Sequence, residues 1–355
     1  MRENIGQISE VDMIRSKTRN DTRIRAGIVG AGLMGRWHAH AIHKVGGRLV
    51  GIADVNIFRS ESLASKYPGA DTYDDFERMI DELNLDVLHV CSPLASHAAI
   101  AEKAIDAGVH LLVEKPLAAS AAETSKLYAL AADHNILLCP VHQFVFQRGV
   151  EKARRLLPSI GRLTHLEANI CSAGGIDLDV EQHDYVAETI LPHPLSLMQI
   201  FLDGEISNVN WNILRPAHGE LRIYGQQHKT SLSIFISMNT RPTVNTFRIA
   251  GVKGTIHLDL FHGFSFVEPG NTSKLRKVLH PFDLAARSFT AAGVNILRRT
   301  WHREPAYPGL QRLIKEFYRS IKLDLEPPIK AADALAIATV CDLLTNRDKT
   351  GTEPA

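Results

Sequence analysis

Ile24-Arg25-Ala26-Gly27-Ile28-Val29-Gly30-Ala31-Gly32-Leu33-Met34-Gly35 is the stretch whose reading decides the fold. An apolar run gives way at once to G-x-G-x-x-G, and an amphipathic segment over 33–45 follows. A strand that turns over glycines into a helix is the arrangement that binds a dinucleotide pyrophosphate. Gly30 permits the tight turn, Gly32 lets backbone approach the phosphates, and Gly35 lets the helix pack close to the strand. The first N–H groups of that helix, around Leu33 and Met34, face the anion.

Outward from this loop, residues 23–142 alternate apolar runs with amphipathic segments. Strands are expected over 24–29, 48–53, 87–91, 110–113 and 136–141, and helices over 33–45, 59–66, 76–83, 96–107 and 120–134. Alternating βα units with short turns predict a doubly wound parallel sheet, a Rossmann NAD(P)-binding domain. After residue 142 the pattern changes. Leu232, Ile234, Ile236 and Met238 alternate with Ser231, Ser233, Phe235 and Ser237, and similar strands are expected over 162–170, 209–214, 220–224, 246–250, 254–260 and 264–268. Strands in succession without helices predict a large, mostly antiparallel open sheet within an α+β domain over 143–355. Leu310, Leu313, Ile314, Phe317 and Ile321 mark one closing helix, and Ala332, Leu335, Ala336, Thr339, Val340 and Leu343 a second. One or both are expected to pack back on the first domain.

The 355 residues, 45% of them hydrophobic, suffice for two domains with their own cores. Forty Lys and Arg against 39 Asp and Glu argue against a nucleic-acid or membrane-surface partner. No apolar stretch reaches the ~18–20 residues of a membrane span. Residues 1–22 are polar and read as an N-terminal extension without the apolar core of a signal peptide. Cys91, Cys139, Cys171 and Cys341 form no C-x-x-C pair, which predicts reduced thiols in a cytoplasmic protein.

Three further motifs fall where the expected strands end. Asp54, 19 residues past Gly35, can accept both hydrogen bonds of an adenosine ribose diol and repels a 2′-phosphate. It favours NAD over NADP without excluding the latter, Arg59 being close by. Cys91-Ser92-Pro93-Leu94-Ala95-Ser96-His97 follows the third expected strand and reads, taken alone, as a helix start capped by Ser96. Glu114-Lys115-Pro116 ends the next strand, and the proline biases Lys115 toward an extended backbone. A lysine held there can polarise a carbonyl or pass a proton to a developing alkoxide, with desolvation bringing its pKa toward neutrality.

These motifs, with Ala107-Gly108-Val109-His110-Leu111-Leu112-Val113 ahead of Glu114 and with Ser159-Ile160-Gly161-Arg162-Leu163 and Tyr307-Pro308-Gly309-Leu310 further on, resemble the glucose–fructose oxidoreductase / inositol dehydrogenase (Gfo/Idh/MocA) family from about residue 23 to 345. The resemblance implies NAD(P)-dependent oxidation of a hydroxyl on a sugar, cyclitol or sugar derivative, or the reverse. It also implies a homodimer or homotetramer built on the second domain's sheet. Ser92, Pro93, His97, Glu114 and Lys115 become cofactor-binding candidates. The family's catalytic set is the motif lysine with an aspartate and a histidine four residues apart. Lys115 carries over, and His193 falls on the histidine. The aspartate position is Thr189, which can bond a substrate hydroxyl but cannot orient an imidazole as a carboxylate would. Glu188, next to it, is expected to point off that helix face. Leu94 stands where an asparagine is common and Val145 where many relatives carry an arginine, which implies a substrate other than a simple free sugar.

Of the 17 histidines, His142 joins Lys115, Thr189 and His193 as a substrate-site candidate at a strand-edge turn. His38, His40 and His43 lack the spacing of a metal pair, and no metal is expected. The leading reading is an oxidoreductase with Lys115 and His193 as acid/base groups. Thr189 keeps a second one open, a cofactor-binding sensor or regulator with impaired catalysis.

Overall fold

The computed structural model describes residues 22–172, 179–270, 274–302 and 306–346; the expected extension over 1–22 lies almost wholly outside them. β1 (Arg25–Val29) is buried along nearly its whole length, as a strand flanked on both sides and covered on both faces has to be. It pairs in parallel with β2 (Arg48–Ala53) on one side and β4 (Val87–Val90) on the other, Ala26 standing between Leu49 and Val87. β3 (Asp71–Tyr73), β5 (His110–Val113) and β6 (Leu138–Pro140) complete a six-stranded, all-parallel sheet of order β3-β2-β1-β4-β5-β6. The order reverses between β1 and β4, which opens a crevice at the strands' carboxyl ends.

The connecting helices are α1 (Leu33–Lys44), α2 (Ile57–Ala64), α3 (Phe76–Glu82), α4 (His97–Asp106) and α5 (Ala121–Asp133). Side chains of Asn56, Asp75 and Ser120 accept from backbone N–H groups at the starts of α2, α3 and α5. α1 has no such cap, because Gly32 occupies the position. Ser96, expected to cap α4, donates its hydroxyl to the Pro93 carbonyl instead. β3 carries no sequence signal: three residues with one buried side chain are too few to show a period.

The second sheet has seven strands in the order β13-β12-β11-β7-β10-β9-β8. Its members are β7 (Leu163–Cys171), β8 (Asn210–Leu214), β9 (Glu220–Gln227), β10 (Thr230–Ser237), β11 (Val244–Gly251), β12 (Gly254–Asp259) and β13 (Phe264–Pro269). All pairs are antiparallel except the central β7–β10. One face packs Leu232, Ile234, Ile236, Phe247 and Ile249 against the helical layer. The other is polar, with Arg222 over the Phe235 ring and Arg248 paired to Glu167 at 2.8 Å. That split is what the period of two demands.

The helices of this part are α6 (Arg148–Leu156), α7 (Val180–Ile190), α8 (Pro192–Phe201), α9 (Lys274–His302), α10 (Leu310–Leu323) and α11 (Ala331–Asn346). α10 buries Leu313, Ile314 and Phe317 in one cluster with Ala39 and Ile42 of α1, so it covers the parallel sheet. α11 packs between α5 and α8 and places Ile337, Val340 and Leu344 in the core of the antiparallel sheet. α6 has a short core-facing stripe of Val150, Ala153 and Leu156, and the sequence reading marks neither it nor α9.

Candidate active site

The glycine loop has the geometry a phosphate cradle needs. Gly30 adopts φ +95°, and a Cβ there would sit 2.7 Å from the Cys91 carbonyl. A Cβ on Gly35 would run into the carbonyl oxygen of Gly30. At Gly32, by contrast, an added Cβ meets nothing within 4 Å. The uncapped N–H groups of α1 therefore open onto free space beside Gly32, which fits a pyrophosphate. Asp54 braces this loop: its carboxylate accepts from Ala31 N–H at 2.8 Å and Asn56 N–H at 2.9 Å. Each oxygen keeps a further lone pair for a ribose hydroxyl.

His97, a cofactor-contact candidate in the sequence, sets both ring nitrogens against backbone carbonyls. Its ring is 1% exposed, with Nδ1 2.9 Å from the Pro116 carbonyl and Nε2 2.9 Å from that of Ser92. It clamps the turn after β4 to the turn after β5. Ser92 and Pro93 lie on the first of these turns, with Ser92 Oγ 2.7 Å from Ser96 Oγ.

Glu114 likewise faces inward. It is buried, and one oxygen lies 3.1 Å from His38 Nε2 while the other accepts from the Lys115 N–H. His38 Nδ1 lies 2.8 Å from His89 Nδ1, and His89 Nε2 lies 2.9 Å from the Tyr318 hydroxyl. Burial pushes His89 well below, and Tyr318 well above, their usual values. His38 Nε2–H donates to the carboxylate, and neutral His89 bridges His38 and the Tyr318 hydroxyl, donating through one ring nitrogen and accepting through the other. The chain ties α10 to the backbone of Lys115, and a buried network with every member bonded holds its geometry. His89 bears no motif, and Tyr318 enters the sequence reading only within the C-terminal stretch, from Tyr307 onward, that resembles the family's ending.

Lys115, half-buried at the end of β5 and followed by a cis peptide bond to Pro116, donates from Nζ to the Thr189 carbonyl at 3.0 Å. Thr189 thus meets the lysine through its backbone, and its own hydroxyl donates to Val186 O at 2.8 Å. Burial pulls the Lys115 ammonium below the usual lysine value, opposed by Glu114. His193, at the start of α8, is pushed well below 6.5 by burial, then by Lys115 and His142. Its Nδ1 has no hydrogen-bond partner among the described residues. Stacking on Phe144, at 4.2 Å and 18° between rings, holds the imidazole instead.

His142 completes the cluster, its Nδ1 also unpartnered. Glu188, with Thr189, Pro116, His142, Pro192 and Cys341, walls a cavity of about 350 Å³, and its carboxylate pairs with Arg215 at 2.8 Å. Among the described residues no group of three His, Cys, Asp or Glu could hold a metal ion.

Burial and Lys115 hold His142 down at about 4, against an ordinary 6.5. The unfolded chain takes up that proton near pH 6.5 and the folded protein only near 4. Stability is therefore full above the higher value and falls through the window, by about 3 kcal/mol in all. His142→Gln should flatten this fall: the loss of melting temperature between about pH 7 and about pH 4.5 is expected to be smaller than in the parent. Equal losses in thermal scans would refute the assignment.

Residues 24–142 match the model of the Gfo/Idh/MocA family, described as an oxidoreductase family with an NAD-binding Rossmann fold. The match covers the nucleotide-binding region, about a third of the chain. It is 24% identical over 234 residues to UDP-N-acetylglucosamine 3-dehydrogenase of Acidithiobacillus ferrooxidans, covering 59% of this chain and 74% of that one. It is 24% identical over 198 residues to myo-inositol 2-dehydrogenase of Thermotoga maritima, covering 52% and 59%. The sequence matches span about half the length of several such relatives. The fold extends further. The WlbA dehydrogenase of Bordetella pertussis, solved with NADH and UDP-GlcNAcA, superposes over 94% of this chain and 99% of its own with a TM-score of 0.73 at 18% identity. The family's NAD is the cofactor that the glycine loop and Asp54 suit.

Proposed function

We propose that this protein is an NAD-dependent oxidoreductase that moves a hydride between the nicotinamide and a secondary alcohol or ketone of a sugar, cyclitol or sugar derivative. The observation that carries the reading is the cluster itself. Lys115 and His142 stand at the carboxyl edge of the sheet that holds the glycine loop, and His193 is brought against them from α8. Both imidazoles keep an unpartnered nitrogen among the described residues. Bound NAD supplies the hydride acceptor or donor. Lys115 holds the substrate oxygen and stabilises negative charge there, because its ammonium is fixed by Thr189 and partly desolvated. His193, neutral and with only a ring to hold it, accepts the hydroxyl proton in oxidation and returns it in reduction. Gly30, Gly32, Leu33, Met34, Gly35, Asp54, Ser92 and Pro93 bind the dinucleotide, and Thr189 and His142 line the substrate side.

The work is divided between a nucleotide-binding domain over 23–142 and a substrate domain over 143–355. The open face of the second sheet is the candidate surface for a homodimer or homotetramer. The named relatives act on a nucleotide sugar and a cyclitol, which makes these two the first classes to try. Mixing the protein with NAD and a panel of nucleotide sugars, inositols and free sugars is expected to produce NADH absorbance with at least one of them. Tight NAD binding without turnover on any member would overturn the enzyme and leave the sensor.

A further inference from the structure

A groove of about 1290 Å³ runs between α9 on one side and α6 and α10 on the other, with residues of β13 lining it between them. Its walls are tied to one another. Asn295 Nδ2 and Arg299 Nη1 of α9 both donate to the His262 carbonyl, just ahead of β13. From the other wall, Lys152 Nζ donates to the Ser265 carbonyl at 3.0 Å, and Ser265 Oγ donates to the Gly149 carbonyl at 2.9 Å.

This groove is strongly basic in a chain of 40 basic and 39 acidic side chains. Nine Lys or Arg line it against three carboxylates. Each carboxylate is already engaged: Glu151 by Arg312, Asp283 by Arg287 at 2.8 Å and Glu316 by Arg319 at 3.7 Å. Lys44 at the end of α1, Arg148 and Arg155 of α6, Arg298 of α9 and Lys315 of α10 have no ion-pair partner among the described residues. Glu151 feels the excess. Arg312 first, and then Arg155 and Arg148, hold its carboxyl below the usual carboxylate range. Cations gathered from four helices without counter-charge repel one another, and a bound anion removes that repulsion.

The chemistry of the anion follows from the donors. A single phosphate offers one charge centre to cations drawn from both walls. Linked phosphates offer several pairs of oxygens in a row, and each guanidinium can take such a pair through its planar fork. The chain's own ends do not supply the charge: residues 1–21 hold four basic and four acidic side chains, and 347–355 two of each. The groove is also apart from the dinucleotide cradle. Lys44 stands at the far end of the 12-residue α1, about 18 Å from the glycine loop, and the groove shares no lining residue with the cavity beside Lys115.

We propose that the groove between α6, α9 and α10 is a binding site for an anion carrying linked phosphates, separate from the site of the dinucleotide. Cations that converge on one groove suit a compact polyphosphate better than a polymer, which needs a track.

The test is titration calorimetry of the full chain, with and without NAD, against inorganic tripolyphosphate, ATP and orthophosphate. Tripolyphosphate and ATP are expected to bind in both cases, more weakly as salt rises, with orthophosphate weaker than either. Tighter binding of ATP than of tripolyphosphate assigns the site to a nucleotide, and equal binding to the phosphates alone. The variant Arg148→Gln/Arg155→Gln/Arg298→Gln/Lys315→Gln should lose roughly tenfold or more in affinity, since it removes four charge-assisted contacts. Its circular dichroism and NAD affinity should match the parent's, because all four side chains are exposed. A control, Lys66→Gln/Lys126→Gln/Lys229→Gln/Lys330→Gln, takes the same charge from exposed positions outside the groove and should bind as the parent does. The proposal is overturned by no binding of tripolyphosphate or ATP to the parent, by their displacement with NAD, or by equal losses in the two variants. Orthophosphate binding as tightly as tripolyphosphate would overturn the linked phosphates. A single-stranded oligonucleotide that binds through these residues while tripolyphosphate does not would assign the groove to a nucleic acid instead.

Discussion

Replacing Lys115 by alanine should lower the rate of NAD reduction by roughly 10²–10⁴-fold, the range ascribed to a positioned acid/base group. NAD affinity should change by less than about tenfold, because the phosphate cradle and Asp54 lie on other turns. The argument rests on where the ammonium sits. It reaches across to the Thr189 carbonyl, its backbone N–H is held by Glu114, and burial already pulls its proton affinity down. Lys115→Arg keeps the charge but spreads it over a planar fork that cannot take the same place, so only partial recovery is expected. Steady-state rates and a titration of NAD binding separate the two effects. A Lys115→Ala enzyme turning over within threefold of the parent would remove the lysine from the mechanism.

The second large effect contrasts two glycines three residues apart. Gly35→Ala drives a methyl group into the Gly30 carbonyl, so α1 must move off the loop. A cost of about 1–3 kcal/mol in stability is expected, with NAD binding lost as the loop shifts. Gly32→Ala meets no protein atom and has an ordinary φ of −70°. Its melting point should stay within the roughly 0.5 kcal/mol of a neutral surface change. NAD affinity should nevertheless fall more than about tenfold, because the methyl occupies the space the phosphates need. Thermal scans beside NAD titrations read both. If Gly32→Ala binds NAD as the parent does, the cradle has been placed wrongly.

Much of this fold is legible in the chain because burial imposes periodicity. The alternation of apolar runs with amphipathic segments specifies parallel βα units, and β1, β2, β4 and β5 lie where their apolar runs fall. The period of two around Leu232 likewise marks a half-covered sheet. Short or outward-facing elements escape that logic. β3 is too brief to show a period. α9 turns polar and small residues inward, so its apolar residues suggest no core contact. Of the candidate site residues, Glu114 and His97 were detectable as motif members, but their side chains serve the neighbouring turns. A helical wheel separates Glu188 from Thr189 but does not say that Arg215, 27 residues on, takes its carboxylate.

What the sequence by itself determined is local: the glycine loop, the strand that feeds it, Asp54 at the next strand end, and a lysine at the carboxyl edge of the sheet. Each depends on residues within one βα unit, where backbone geometry and hydrophobic period are set by near neighbours. The tertiary structure alone decided what Lys115 meets. Its partner Thr189 is 74 residues away, and the chain of bonds behind Glu114 closes through Tyr318, 229 residues from His89. Those contacts depend on how α7, α8 and α10 settle against the parallel sheet. That packing is a property of whole faces in contact, and no local spacing encodes it.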